Sequence, residues 1–160
     1  MYPASFTINN KKYPTNEHFF QAKKFETTDP AYFETVRKAA NPKSAKALGK
    51  SRKHPIRKDW NEARIDVMEE GLRAKFTQHE NLKDKLLSTG EKELIENAPR
   101  DYFWGCGAKG SGQNKLGKML MELRGKLRKG GEELGGDEKR AKKAKKEIVG
   151  EASPKAGKKK

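Results

Sequence analysis

Where the apolar side chains of this chain fall into a pattern, the step is three or four residues. Ile65, Met68, Leu72 and Phe76 make one such stripe, and Leu116, Leu120, Leu123 and Leu127 make a second. That spacing belongs to helices with one buried face. The punctuation between stripes agrees. Asp29 before Pro30, and Asn41 before Pro42, each set a capping side chain ahead of a proline whose missing N–H costs nothing at the first helical position. Thr15 caps a helix running to Phe25, Asp59 is placed to cap the long helix of the first stripe, and Gly49 and Gly90 follow helical stretches as C-terminal stops. Strand evidence is confined to Ser5–Ile8 leading into an Asn9-Asn10 turn. No repeat of fixed period is present. The pattern predicts a mainly α fold, a compact array of six or so short helices with little or no β.

Composition limits how much of the chain joins that array. Residues 129–160 hold no aromatic residue, 11 basic and 6 acidic residues, and only Leu134, Ile148 and Val149 among the large aliphatics. Such a stretch buries too little apolar surface to offset its ordering entropy, so it reads as a disordered basic tail behind a 1–128 domain. The chain's net charge is +15, and the tail's +5 leaves +10 on the domain itself. A charge of that size favours loose, salt-sensitive contact with nucleic acid, and a non-catalytic nucleic-acid-binding module is the reading it supports unaided. The lysine-rich run 139–146 also has the composition of a nuclear address. No apolar run approaches the roughly 20 residues of a membrane span and no secretory signal opens the chain, so an intracellular protein, cytoplasmic or nuclear, without a membrane partner is expected.

Three stretches carry candidate chemistry. On the first helix Glu17, Gln21 and Lys24 sit at i, i+4 and i+7, within about 60° of one another, beside Phe19, Phe20 and Phe25. A carboxylate against aromatic rings suits proton transfer, and the alternative is a solvated acid favoured by the helix dipole. In 101–114, Gly105, Gly107 and Gly110 spell a glycine pattern that lacks the strand of a dinucleotide fold, yet a glycine turn before a helix favours an anion, with Lys109 and Lys115 adding charge. Tyr102, Phe103 and Trp104 beside it form either core or a stacking wall for a base. The third stretch, Arg52 to Trp60, puts Arg52, Lys53, Arg57 and Lys58 next to an indole, which suits a phosphorylated aromatic ligand or simply a solvated basic loop. His18 lacks a second histidine four residues away, and the single Cys106 excludes both an internal disulfide and a thiolate metal site. His18, His54 and His79 read as surface or capping residues. Neither a metal nor a cofactor is expected.

Four segments, YPTNEHFFQAKKF at 13–25, AKALGKSRKHPIRKDW at 45–60, VMEEGLRAKF at 67–76 and DYFWGCGAKGSGQNKLGKMLMELR at 101–124, resemble the NADAR family of YbiA-like N-glycosidases, in the same order and across nearly all of 1–128. The resemblance implies a mainly helical fold and cleavage of an N-glycosidic bond, either in ribosylated intermediates of riboflavin biosynthesis or in ADP-ribose attached to a nucleobase such as guanine. It places the family's acid of the E-H-F-F-Q motif on Glu17, its helix-opening tryptophan on Trp60, the acid before the aromatic run on Asp101, and the lysine closing the first motif on Lys24. Glu17, Asp101 and Lys24 are then the expected catalytic residues. Gln21, Arg52, Trp60, Tyr102, Trp104, Gly105, Gly107, Gly110 and Asn114 are expected around a phosphoribosyl or ADP-ribose-containing ligand. ADP-ribosylated DNA or RNA, held by the basic tail, is the expected macromolecular partner. Two departures from the family pattern are an S-N-F segment expected before Tyr2, which this chain starts too late to include, and Cys106, which is acidic in some relatives.

Overall fold

The computed structural model describes residues 3–130. It opens with a hairpin, β1 (Phe6–Ile8) and β2 (Lys11–Tyr13), followed by α1 (Asn16–Ala22), α2 (Pro30–Arg37), α3 (Pro42–Leu48), α4 (Trp60–Gln78), α5 (Glu80–Leu87), a 3-10 turn at Ala108–Gly110 and α6 over 115–130. Among the described residues, six helices and one two-stranded antiparallel sheet make a mainly α fold. The second strand is not legible from alternation. It forms because Asn9 and Asn10 both adopt positive φ (49° and 60°), which asparagine tolerates and a two-residue hairpin turn demands. Phe6 then pairs with Tyr13, and their rings stack at 5.9 Å.

The caps behave largely as their residue types predict. Thr15, Asp29 and Asn41 each accept a backbone N–H three residues on, from His18, Tyr32 and Ser44. Asp59 does not cap α4. Arg57 takes both of its oxygens at 2.7 Å, and that two-pronged ion pair outcompetes a single backbone N–H. On α4 the buried stripe is Val67, Met68, Gly71, Leu72 and Lys75; Phe76 is partly buried and Ile65 stays exposed, so the stripe is rotated from the one that spacing suggests. Leu116 and Leu123 are buried on α6, with Leu120 and Leu127 packed partly against the core.

α1 lies at the centre, packed against α2, α3, α4 and β2. Six of its seven residues are buried, Phe19 completely, and the exception is Glu17. His18, on the same helix, is a core residue rather than a surface one. Its Nδ1 meets Thr15 Oγ1 at 2.8 Å and its Nε2 meets the Ala39 carbonyl at 3.0 Å. His54 pairs with Asp29 at 2.8 Å and stacks on Tyr32, and His79 Nε2 meets the Ser5 carbonyl at 2.6 Å. The last helix continues through Lys129 and Gly130. The tail expected beyond it lies outside the described residues. Among those described, no helix is long and apolar enough to cross a membrane.

Candidate active site

A cleft of about 790 Å³ opens where α1, the end of α3 and the 96–104 segment meet, with Met68 of α4 and Leu116 of α6 also in its wall. Four residues singled out in the sequence line it together: Glu17, Gln21, Asp101 and Trp104. Glu17 and Gln21 are one helical turn apart, and the Gln21 amide Nε2 donates to Glu17 Oε1 at 2.8 Å. Gln21 is itself buried. Its carbonyl oxygen has no hydrogen-bond donor and lies against Gly49, where any side chain would collide with it. A fixed amide therefore aims one oxygen of the Glu17 carboxylate and leaves the other available to the cleft.

Lys24 sits just past α1, half-buried and outside the cleft lining. Its Nζ donates to the Gly49 carbonyl at 3.0 Å and lies 5.7 Å from the centre of the Trp60 ring. Burial pulls its ammonium below the usual lysine range; Glu17 works against that shift, and Lys50 and Lys46 add to it by repulsion. Gly49 thus meets both Gln21 and Lys24, which makes it a shared buttress for the two ends of the Glu17–Lys24 face.

Asp101 has a structural task as well as a place in the cleft. Its Oδ1 accepts the backbone N–H groups of Phe103 (3.0 Å) and Trp104 (2.7 Å), which folds the chain back so that the Trp104 ring reaches the cleft. Phe20, one of the rings expected beside Glu17, also joins the two tryptophans: its ring meets Trp60 edge-on at 4.9 Å and Trp104 at 5.7 Å. Trp60 is packed partly against the core and does not line the cleft.

The glycine turn is built differently from an anion cradle. The Gly107 N–H points to the carbonyls of Ala98 and Asp101, that of Gly112 to Cys106, that of Gln113 to Tyr102 and that of Asn114 to Gly105. The Asn114 side chain is also engaged, accepting from the Glu96 N–H at 2.9 Å and donating to the Leu94 carbonyl at 2.9 Å. Gly110 is exposed, and the Tyr102 ring packs over Gly107, whose φ of +64° and lack of a side chain permit that approach. These residues lock the loop onto itself; Gly105, Gly107, Gly110, Asn114, Tyr102 and the exposed Arg52 all lie outside the cleft lining. The cations that do line it are Lys46, Lys50 and Arg100. Nothing local marks them out in the sequence, beyond the four-residue spacing of Lys46 and Lys50 across the end of α3.

Among the described residues there is no group of three or more histidine, cysteine or acidic side chains arranged to hold a metal. What the cleft offers is three acids, Glu17, Glu96 and Asp101, with Glu17 held by the Gln21 amide, together with an aromatic edge and three cations.

Comparison with known proteins gives the chain its relatives. The NADAR domain matches residues 1–128. N-glycosidase YbiA of Escherichia coli is 43% identical over 120 residues, 75% of this chain and 74% of that protein. A riboflavin biosynthesis protein of Vibrio vulnificus is 39% identical over 79% of this chain, which spans 34% of that longer protein. The solution structure of E. coli YbiA superposes with a TM-score of 0.72 at 41% identity, covering 79% of this chain and 74% of that one.

Proposed function

The chain belongs to the NADAR family and is an N-glycosidase, and from that premise we propose that it hydrolyses the bond between a phosphorylated ribose and a base nitrogen, releasing ADP-ribose from ADP-ribosylated guanine. The observation that carries the proposal is the grouping in one cleft of a carboxylate aimed by a buried amide, an indole and three cations. Each answers one part of such a substrate. A glycosidic bond to nitrogen breaks through an oxocarbenium-like state, so a nearby anion stabilises the charge growing at the anomeric carbon. An indole supports the base by stacking. The cations meet phosphate. The cleft volume also falls in the range of about 300–1,000 Å³ typical of small-molecule sites.

The chemistry runs in one balanced step. Water attacks the anomeric carbon, Glu17 takes its proton, and the electrons of the carbon–nitrogen bond leave with the base, which takes a proton from solvent while Glu17 later returns its own to solvent. Asp101, whose second oxygen is not used by the turn it folds, stands on the same cleft to orient the ribose or assist that departure. A second route uses Lys24. Burial favours its neutral amine, which can attack the anomeric carbon while the electrons of the carbon–nitrogen bond leave with the base; opening of the sugar ring then gives a Schiff base, and water hydrolyses it to free the sugar and the amine. Reduction by borohydride during turnover separates the two: a stable adduct on Lys24 supports the amine route, and its absence supports direct attack by water.

The relative named for riboflavin biosynthesis favours a second substrate reading, a ribosylated 5-phosphate intermediate of that chemistry. A mass-spectrometric assay offering an ADP-ribosylated guanine oligonucleotide and such an intermediate side by side decides between them. Preferential release of ADP-ribose supports the first reading, and preferential consumption of the intermediate replaces it.

A further inference from the structure

A phosphorylated substrate needs donors for its phosphates, and the glycine-turn residues 105–114 do not line the cleft. The cleft supplies them from two other places. Lys46 is in the last turn of α3 and Lys50 follows just after it, and the backbone keeps a helical course between them, with Gly49 N–H bonded to the Ala45 carbonyl and Lys50 N–H to that of Ala47. Four residues apart on that course, the two side chains share a face, and both line the cleft. Arg100 lines it from a separate segment of chain.

We propose that Lys46 and Lys50 together hold one phosphoryl group and Arg100 a second, so that the cleft selects a ribosyl diphosphate over a ribosyl monophosphate. The proposal rests on the ADP-ribose reading above and sharpens it.

Three observations converge on it. Lys46, Lys50 and Arg100 are exposed and none forms an ion pair among the described residues, whereas Lys11, Lys23, Arg57 and Lys126 each pair with an acid on their surfaces. Lys46 and Lys50 also stand close enough to Lys24 to depress its protonation, so three ammonium groups crowd a site with Glu17 as the one acid that offsets them at Lys24. Glu17, Glu96 and Asp101 line the same cleft, yet among the described residues none of them forms an ion pair with these cations, which leaves the cations' donors open to an anionic ligand. The negative end of the α3 dipole explains one cation in its last turn; it does not explain a second beyond it turned to the same cleft. Arg100, with a planar fork suited to phosphate oxygens, supplies the separate station that a second phosphoryl group requires.

The test uses the full chain and four proteins: unaltered, Lys46→Ala/Lys50→Ala, Arg100→Ala, and Lys43→Ala as a control cation on α3 outside the cleft lining. Calorimetry measures affinity for ADP-ribose and for ribose 5-phosphate, and steady-state kinetics measures release of ADP-ribose from an ADP-ribosylated guanine oligonucleotide. The proposal predicts that each cleft variant weakens ADP-ribose binding by about tenfold or more, as loss of a charge-assisted contact does. KM should rise in step while kcat changes by less than about threefold, and the Lys43 variant should match the unaltered protein. Ribose 5-phosphate should feel the lysine pair and not Arg100. Turnover of the guanine substrate with ADP-ribose affinity unmoved in both variants overturns the two-station proposal and leaves the substrate reading standing. Cleavage of phosphoribosyl substrates alone, with Arg100 without effect, overturns both.

Discussion

The side-chain amide of Gln21 donates to Oε1 of Glu17 at 2.8 Å, while the carbonyl oxygen of the same amide is buried against Gly49 without a donor. Gln21 is buried, so the direction of the Glu17 carboxylate is set by a group of the interior rather than by solvent. Gln21, expected from the sequence at the ligand, is better described as the residue that positions Glu17.

Replacing Gln21 with methionine keeps the volume and removes both the donor and the orphan oxygen. Thermal stability should hold or rise, since removing a buried unsatisfied group in a shape-conserving way is near neutral. Turnover should fall by up to about a hundredfold, the scale of loss when a reacting group is misplaced by about 1 Å. Unaltered kcat in Gln21→Met would show that Glu17 needs no such support.

Gly49→Ala attacks the same relationship from the other side. A methyl group there meets the Gln21 side chain at its Cδ (2.7 Å) and also at its Cβ (2.9 Å), and the latter cannot swing away. The expected cost is about 1–3 kcal/mol of stability from overpacking, together with a loss of activity, because the Gln21 amide and the Gly49 carbonyl that receives Lys24 shift together. Chemical denaturation and kcat on the same sample check both.

Asp101 separates into two functions by a conservative pair of variants. Asp101→Ala removes the acceptor of the Phe103 and Trp104 N–H groups and should cost about 1–3 kcal/mol. Asp101→Asn retains an oxygen at the same place and should stay within about 0.5 kcal/mol of the parent. If the charge of Asp101 serves the reaction, Asp101→Asn loses turnover while keeping its fold; equal turnover would confine Asp101 to shaping the turn.

Away from the cleft, Glu34 ties α2 to the hairpin through Arg37 and Lys11, and the hydrogen bonds from Arg37 above all hold its carboxyl down at about 2. A carboxylate with a depressed folded pKa adds stability above its ordinary value of 4.5, and that contribution fades as pH falls from there toward about 2. The melting temperature of Glu34→Gln should therefore lie below that of the parent at neutral pH, and the gap should close by about pH 2–3. A gap independent of pH would mean that the ion pairs of Glu34 contribute nothing through its charge.

What the sequence made legible was local. Thr15, Asp29 and Asn41 cap because each needs only a backbone N–H three residues away, and Asn9-Asn10 turns because asparagine accepts positive φ. Asp59 defeated the same logic through a competitor two residues earlier, Arg57. The face holding Glu17 and Gln21 followed from helical spacing. In the glycine turn the N–H groups of Cys106, Gly107, Gly112, Gln113 and Asn114 go to carbonyls from 96 to 106, a closure no local pattern reveals. Lys46, Lys50 and Arg100 were invisible for a related reason: a cleft wall assembled from two distant segments has no sequence period.

The role assigned to Glu17 is tested most directly by Glu17→Gln, which keeps an oxygen to accept from Gln21 and removes only the charge and the base. The measurement is mass-spectrometric release of ADP-ribose from an ADP-ribosylated guanine oligonucleotide, with ADP-ribose affinity and melting temperature taken on the same protein. The account predicts a loss of at least about a hundredfold in kcat, with folding intact and ligand binding retained. Full turnover by Glu17→Gln would contradict it.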